Sequence, residues 1–163
     1  MNPTTSVLLL IAYGNTLRRD DGAGLALAAQ LAQVWRRRGI TIRHLALQQL
    51  MPELAMDLCQ ADVRAVVFVD TMSKAAAAIR LQSIAPAELG RVLGHHLTPE
   101  TLLLYAQRLY GYYPPSWLMT IPGHDFGFGE GFSRETRRLL ATAPIVAHES
   151  WKTIVATTTQ LAA

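Results

Sequence analysis

The chain has 163 residues, half of them hydrophobic, which is material for one core and one domain over residues 1–163. Fifteen Lys+Arg against twelve Asp+Glu leave a net charge of only +3, too small a surplus to argue for a nucleic-acid partner. Cys59 is the single cysteine, which excludes an internal disulfide framework and a thiolate-cage zinc site.

Residues 1–6 lack the basic start of a signal peptide, and the apolar run over 7–12 is far too short to span a bilayer. The expectation is a soluble cytoplasmic protein without a membrane partner. Residues 7–12, VLLLIA, form a continuous apolar run ended by Gly14-Asn15, the pattern of a buried strand in a parallel sheet. From 24 to 38 the period changes. Leu25, Ala28, Ala32 and Trp35 recur at three- and four-residue steps, which lays them on one helical face. Arg36-Arg37-Arg38 then falls where cations offset the negative end of the helix dipole, and Gly39 is the stop.

Residues 40–45 alternate and predict a second strand. Residues 52–60 predict a helix with Pro52 in its first turn. Residues 65–69, AVVFV, predict a third buried strand ending at Asp70. Residues 79–84 alternate as an edge or antiparallel strand does. Thr98 and Pro99 supply an N-cap and a first helical residue for a helix turning Leu102, Leu103, Ala106 and Leu109 inward. Residues 117–121 predict a further strand. Ser133 caps a helix through Leu139, Leu140 and Ala143, and the stretch from His148 is helical. Strands alternating with helices predict an α/β three-layer sandwich, a mostly parallel twisted sheet of about five strands with helices on both faces.

Sites in such sheets gather beyond the carboxyl ends of the strands. That rule selects the segment from Gly14 to Gly24, GNTLRRDDGAG, and the segment Asp70-Thr71-Met72. The first is not a dinucleotide fingerprint: its glycines come late, and two carboxylates that would repel a phosphate precede them. Paired acids suit a cation or proton transfer. Helix capping accounts for one of Asp20 and Asp21 but not for both, so one is expected to cap or to pair with Arg18 or Arg19 while the other faces the site. Asp70 is a site acid or the cap of a following turn. His44, His124 and His148 are expected to be structural or surface residues, whereas His95 and His96 precede a helix and can reach over the sheet edge. Two carboxylates and an imidazole form a mixed oxygen and nitrogen donor set suited to Zn²⁺ or Ni²⁺.

The segment from Gly14 to Gly24 after an N-terminal apolar strand resembles the hydrogenase maturation endopeptidases, whose signature is G-x-G-N-x-L-x-x-D-[DE]-G-x-G. Val66-Val67-Phe68-Val69-Asp70 is similar to the strand that carries the family's second acid. The stretch from His96 to Gly111, followed by Trp117-Leu118-Met119-Thr120-Ile121, follows the layout of its histidine, helix and next strand. Pro122-Gly123 and the loop from Gly127 to Ser133 resemble the family's final loop. Ala12 departs from the first glycine of the signature. The family's glycine-rich segment after strand two is replaced by QQLMPELA from Gln48 to Ala55, which looks like the Q-L-x-P-E-L of members serving bidirectional, NAD(P)-linked hydrogenases.

The resemblance implies removal of a C-terminal peptide from the nickel-loaded precursor of a nickel-iron hydrogenase large subunit. It implies metal contacts from Asp21, Asp70 and His96, with nickel brought by the substrate and no organic cofactor. His95 is the rival to His96, and the count to Gly111 favours His96. Asp21 or Asp70 acts as general base, as in an aspartyl-type protease, or the ion activates water or the carbonyl. Gln48, Gln49, Gly127 and Gly129 are the candidate substrate contacts, since loops on a rigid scaffold carry recognition. Tyr110, Tyr112, Tyr113 and Trp117 line a peptide groove or pack in the core. The precursor is the expected partner of a monomer. The competing reading is a metal-sensing chaperone that binds the precursor without cutting it. A covalent protease is weaker: Cys59 falls in an apolar helix, and no Gly-x-Ser-x-Gly elbow occurs.

Overall fold

The computed structural model describes residues 6–73, 77–88 and 97–161. Five strands form one sheet: β1 (Val7–Tyr13), β2 (Ile42–Leu47), β3 (Val63–Met72), β4 (Arg80–Ile84) and β5 (Ser116–Pro122). Their order is β2-β1-β3-β5-β4, parallel except for β4, which pairs antiparallel with β5 at the edge. The predicted mostly parallel sheet, and the antiparallel edge strand within it, are both present.

Side-chain alternation along each strand sorts the helices into two layers. Leu8, Leu10, Ala12, Val67, Val69, Met119 and Ile121 face α1 (Ala23–Arg37), α4 (Arg134–Leu140) and α5 (Ala143–Leu161). Leu9, Ile11, Val66 and Phe68 face α2 (Leu54–Leu58) and α3 (Pro99–Tyr110). Trp35 of α1 is fully buried, and its indole N–H donates to the Ala147 carbonyl at 2.9 Å, which fastens α5 to α1. Ala12, the departure from the signature glycine, is fully buried between Ala46 and Val69. Its methyl group is simply part of the core. No helix among the described residues is long and apolar enough to cross a membrane.

Several boundaries differ from expectation for identifiable reasons. The helix capped by Ser133 stops at Leu140, and a separate helix begins at Ala143 rather than at His148. Pro144 explains both: it cannot continue a helix, and it disfavours helical geometry before it, yet it suits a first turn. Thr98 does cap α3, its hydroxyl accepting from Thr101 N–H at 3.2 Å, and Gly111 ends it at φ 72°. Leu109, expected inward, is 70% exposed. Every residue of α3 after Ala106 is exposed, so the last turn has passed beyond the surface that buries the earlier ones. Cys59 lies just past α2, half-buried, its thiol 3.3 Å from the Tyr112 carbonyl.

β1 leads through α1 to β2 on one side, and the chain then returns through α2 to β3 on the other. The carboxyl ends of β1 and β3 are therefore adjacent at the point where the winding reverses, the place where open α/β sheets hold their sites.

Candidate active site

A cleft of about 790 Å³ opens at this reversal point. Tyr13, Asp21, Gln48, Gln49, Asp70 and Glu100 are among its walls. Asp21 and Asp70 thus meet from two different strand ends, as topology requires. Gln48 and Gln49 join them from the connection after β2. His95 and His96 lie outside the described residues. Among the described residues no group of three His, Cys, Asp or Glu is placed to hold a metal ion.

The two adjacent acids have separate tasks, and neither caps α1. Asp20 is fully buried. Its carboxylate accepts from the His124 and Asp125 backbone N–H groups at 2.8 and 2.9 Å, from the Ser133 N–H and hydroxyl at 2.7 Å each, and from the Thr136 hydroxyl at 2.9 Å. Burial opposes its charge, but these donors outweigh burial and hold its carboxyl at about 2. It pins the loop over residues 122–133 to the loop after β1. The expected pairing with Arg18 or Arg19 does not occur: Arg19 bridges to Asp125 at 2.8 Å instead, because Asp20 is already saturated by uncharged donors.

Asp21 is the acid that faces the cleft. One oxygen accepts from Asn15 N–H at 2.8 Å, and Asn15 Oδ1 accepts from Leu17 N–H at 2.9 Å. The signature asparagine therefore shapes the loop that presents Asp21. Gly14 has no room for a side chain: a Cβ there would stand 2.2 Å from the Asp21 carbonyl oxygen. Gly24 is crowded less severely, its missing Cβ falling 3.1–3.2 Å from the Asp70 backbone, so α1 starts directly against β3. The Thr71 hydroxyl fills the place of a cap there, 2.8 Å from Gly24 N and 3.3 Å from the Asp21 carbonyl.

Asp70, expected at the end of the third strand as a site acid or the cap of a following turn, lies within the strand and caps no turn. β3 runs on to Met72, and Asp70 pairs in register with Thr120. It follows Val66 and Phe68 onto the α2–α3 face, and so points into the cleft. Burial raises its carboxyl to about 6, with the like charge of Asp21 adding to the rise. The Thr71 N–H at 2.7 Å and the Tyr13 hydroxyl work in the opposite direction. Tyr13 is itself pushed far above the usual phenol range, first by burial and then by the Asp70 charge. It remains a neutral donor.

Tyr13 and Glu100 are cleft residues that the sequence reading missed. Tyr13 was legible by parity, two residues after Ile11 on the face that carries Asp70. Glu100 sits in the first turn of α3, where an acid is ordinary for helix electrostatics, so its type alone carried no signal. Gly127 and Gly129 are not in the cleft wall. The Gly127 N–H donates to Asp125 Oδ1 at 2.9 Å and the Gly129 N–H to the Leu17 carbonyl at 2.9 Å. Trp117 is buried in the core, Tyr113 is half-buried, and Tyr110 and Tyr112 are exposed; none of the four borders the cleft.

The fold is that of the hydrogenase maturation proteases. A hydrogenase 2 maturation peptidase from a Thaumarchaeota archaeon superposes with TM-score 0.59 and 18% identity over 88% of this chain and 97% of that one. The [NiFe] hydrogenase maturation protease HycI from Thermococcus kodakarensis gives 0.60 and 21% over 88% and 91%. The hydrogenase maturating endopeptidase HybD from E. coli gives 0.58 and 14% over 90% and 92%. No family model and no curated protein matches the chain. Likeness at these identities establishes the architecture; the chemistry rests on the cleft.

Proposed function

We propose that this protein is an endopeptidase that removes a C-terminal peptide from the nickel-loaded precursor of a nickel-iron hydrogenase large subunit. The observation that carries the reading is the meeting of Asp21 and Asp70 at one cleft, at the reversal point of a fold shared with hydrogenase maturation proteases. The nickel belongs to the substrate. Asp21, Asp70 and His96 are its contacts in this reading, a donor set of oxygens and imidazole suited to a borderline divalent ion.

Hydrolysis adds water to the scissile carbonyl and expels the amine of the departing peptide, so a group must take a proton from water and return one to nitrogen. A cleft carboxylate does both. With no nickel on it, Asp70 is held by burial above the ordinary aspartate range, to about 6; it suits a general base through an oxygen that the substrate's nickel leaves free, and Asp21 is the alternative base. Gln48 and Gln49 supply amide donors and acceptors for an extended peptide backbone. They belong to the segment that resembles members serving bidirectional, NAD(P)-linked hydrogenases, and we assign the precursor to that class.

Incubating the full chain with nickel-loaded precursor and weighing the products tests the reading. The expected result is loss of a C-terminal peptide; a stable complex of intact mass would establish a chaperone instead. Asp21→Asn, Asp70→Asn and His96→Ala, made singly, should each slow cleavage by about a hundredfold or more. Parent-like cleavage by all three would refute the site.

A further inference from the structure

Tyr13 is the last residue of β1, between β2 and β3. Ala12 pairs in register with Val69, so one step further along the same two strands Tyr13 stands beside Asp70. Both are walls of the cleft. Tyr13 fills the second position of G-x-G-N, which the signature leaves open, so its phenol is a feature of this chain over and above the residues the resemblance assigns.

The frame behind the ring is fixed. The Tyr13 backbone pairs in register with Leu47 of β2, and Gly14 N–H donates to the Leu47 carbonyl at 3.1 Å. The ring is half-buried, and its hydroxyl donates to the Asp70 carboxylate. Burial first, and then the charges of Asp70 and Glu100, keep the phenol protonated, so toward an ionised carboxylate it acts only as a donor.

Asp70 needs such a donor. The torsion that turns a carboxylate about its Cβ–Cγ bond is broad and two-fold. The Thr71 N–H, 2.7 Å from Oδ1, comes from the next residue of the same strand and holds one oxygen. A second donor from a different strand removes the remaining swing. In the proposed reaction the two oxygens of Asp70 have different tasks, one on the substrate's nickel and one free to take a proton from water. A carboxylate that turns exchanges them, and a working group must stay within about 10–20° of its productive geometry.

We propose that Tyr13 is a positioning residue for precursor cleavage: its hydroxyl locks the Asp70 carboxylate in the orientation that keeps one oxygen for the nickel and the other for the attacking water. This inference rests on the reading of the protein as that precursor's protease.

Tyr13→Phe removes one oxygen atom and keeps the ring, and thermal unfolding checks that the fold is kept. On nickel-loaded precursor its kcat should fall about tenfold or more, with KM within about twofold of the parent. A raised KM at unchanged kcat would make Tyr13 a substrate contact and overturn the inference. An Asp70→Ala background separates action through Asp70 from action alone. There Tyr13→Phe should change the residual cleavage by less than about twofold, and a further loss of about tenfold overturns the positioning role. The unfolding equilibrium constant at about pH 8 is a readout free of nickel and substrate. Tyr13→Phe should raise it about tenfold in the parent and not at all in Asp70→Ala; an equal rise in both backgrounds would give the hydroxyl another acceptor and overturn the inference. If the parent itself leaves the precursor uncut, the protease reading falls and the inference with it. If the parent cuts and Tyr13→Phe cuts as fast at the same KM, only the inference falls.

Discussion

Asp20 and Asp21 are neighbours of identical chemistry, yet one supports the fold and the other faces the cleft. That the two acids divide was legible from the sequence, but the means was not, since neither caps α1 and Asp20 pairs with neither arginine. Asp20 is satisfied by residues more than a hundred positions away, at His124, Asp125, Ser133 and Thr136, and no local pattern announces such a contact. A clear prediction follows from its geometry. Both oxygens accept, so replacing either with an amide nitrogen sets donor against donor in a dry site. Asp20→Asn should therefore cost about 2–4 kcal/mol of stability, read as a lower urea midpoint. The acid limb carries the sign. The folded carboxyl sits near 2 against 3.8 unfolded, so its contribution is complete above about pH 4 and is lost as pH falls toward 2. The parent should lose stability over that window more steeply than the variant; equal slopes would remove Asp20 from the account.

Among the elements, the contact that matters most is the N-terminus of α1 against β3. The helix has no side-chain cap of its own from Gly22, and its Gly24 N–H is met by the Thr71 hydroxyl of β3. Thr71 lies on the α1 side of β3 and Asp70 on the cleft side, one residue apart, so the hydroxyl that holds the helix also holds the strand that aims the acid. Thr71→Val keeps the shape and removes the acceptor. It should cost about 1–2 kcal/mol and increase hydrogen exchange at Gly24; unchanged exchange there would show the cap to be idle. Sequence periodicity located every strand, and it placed the β3 acid at the end of its apolar run. It could not see that β3 continues to Met72, because Asp70 and Thr71 are polar and break the hydrophobic pattern while their backbones remain paired with β5. The α4–α5 break was likewise present in Pro144 and went unread, because the apolar spacing through Leu140 and Ala143 is helical on both sides of it.

For the whole molecule, the doubly wound order brings Asp21 and Asp70 together, and their convergence has an energetic consequence. Topology alone made that convergence readable from strand ends; the depth at which Asp70 sits was not, since burial depends on how α2, α3 and the β2 connection close over it. A folded carboxyl near 6 against 3.8 unfolded binds protons more readily in the folded state. The sign is opposite to that of Asp20: stability is lost as pH rises through this window, and the loss is complete above about pH 6. The folded protein therefore carries a destabilised acid at neutral pH, as functional sites commonly do. Asp70→Asn removes the charge. Its amide oxygen can still accept from Thr71 or from Tyr13 but not from both as fully, a loss that is nearly independent of pH. The difference in unfolding free energy, variant minus parent, should therefore be flat below about pH 4, rise between 4 and 6, and level off on the order of 1–3 kcal/mol higher. Denaturant titrations of both proteins from pH 3.5 to 8 would trace that step. If the variant also loses precursor cleavage, the same carboxylate is shown to cost the fold what it gives the site, whereas a difference curve with no rise between pH 4 and 6 would mean that half-buried Asp70 is ionised at no cost.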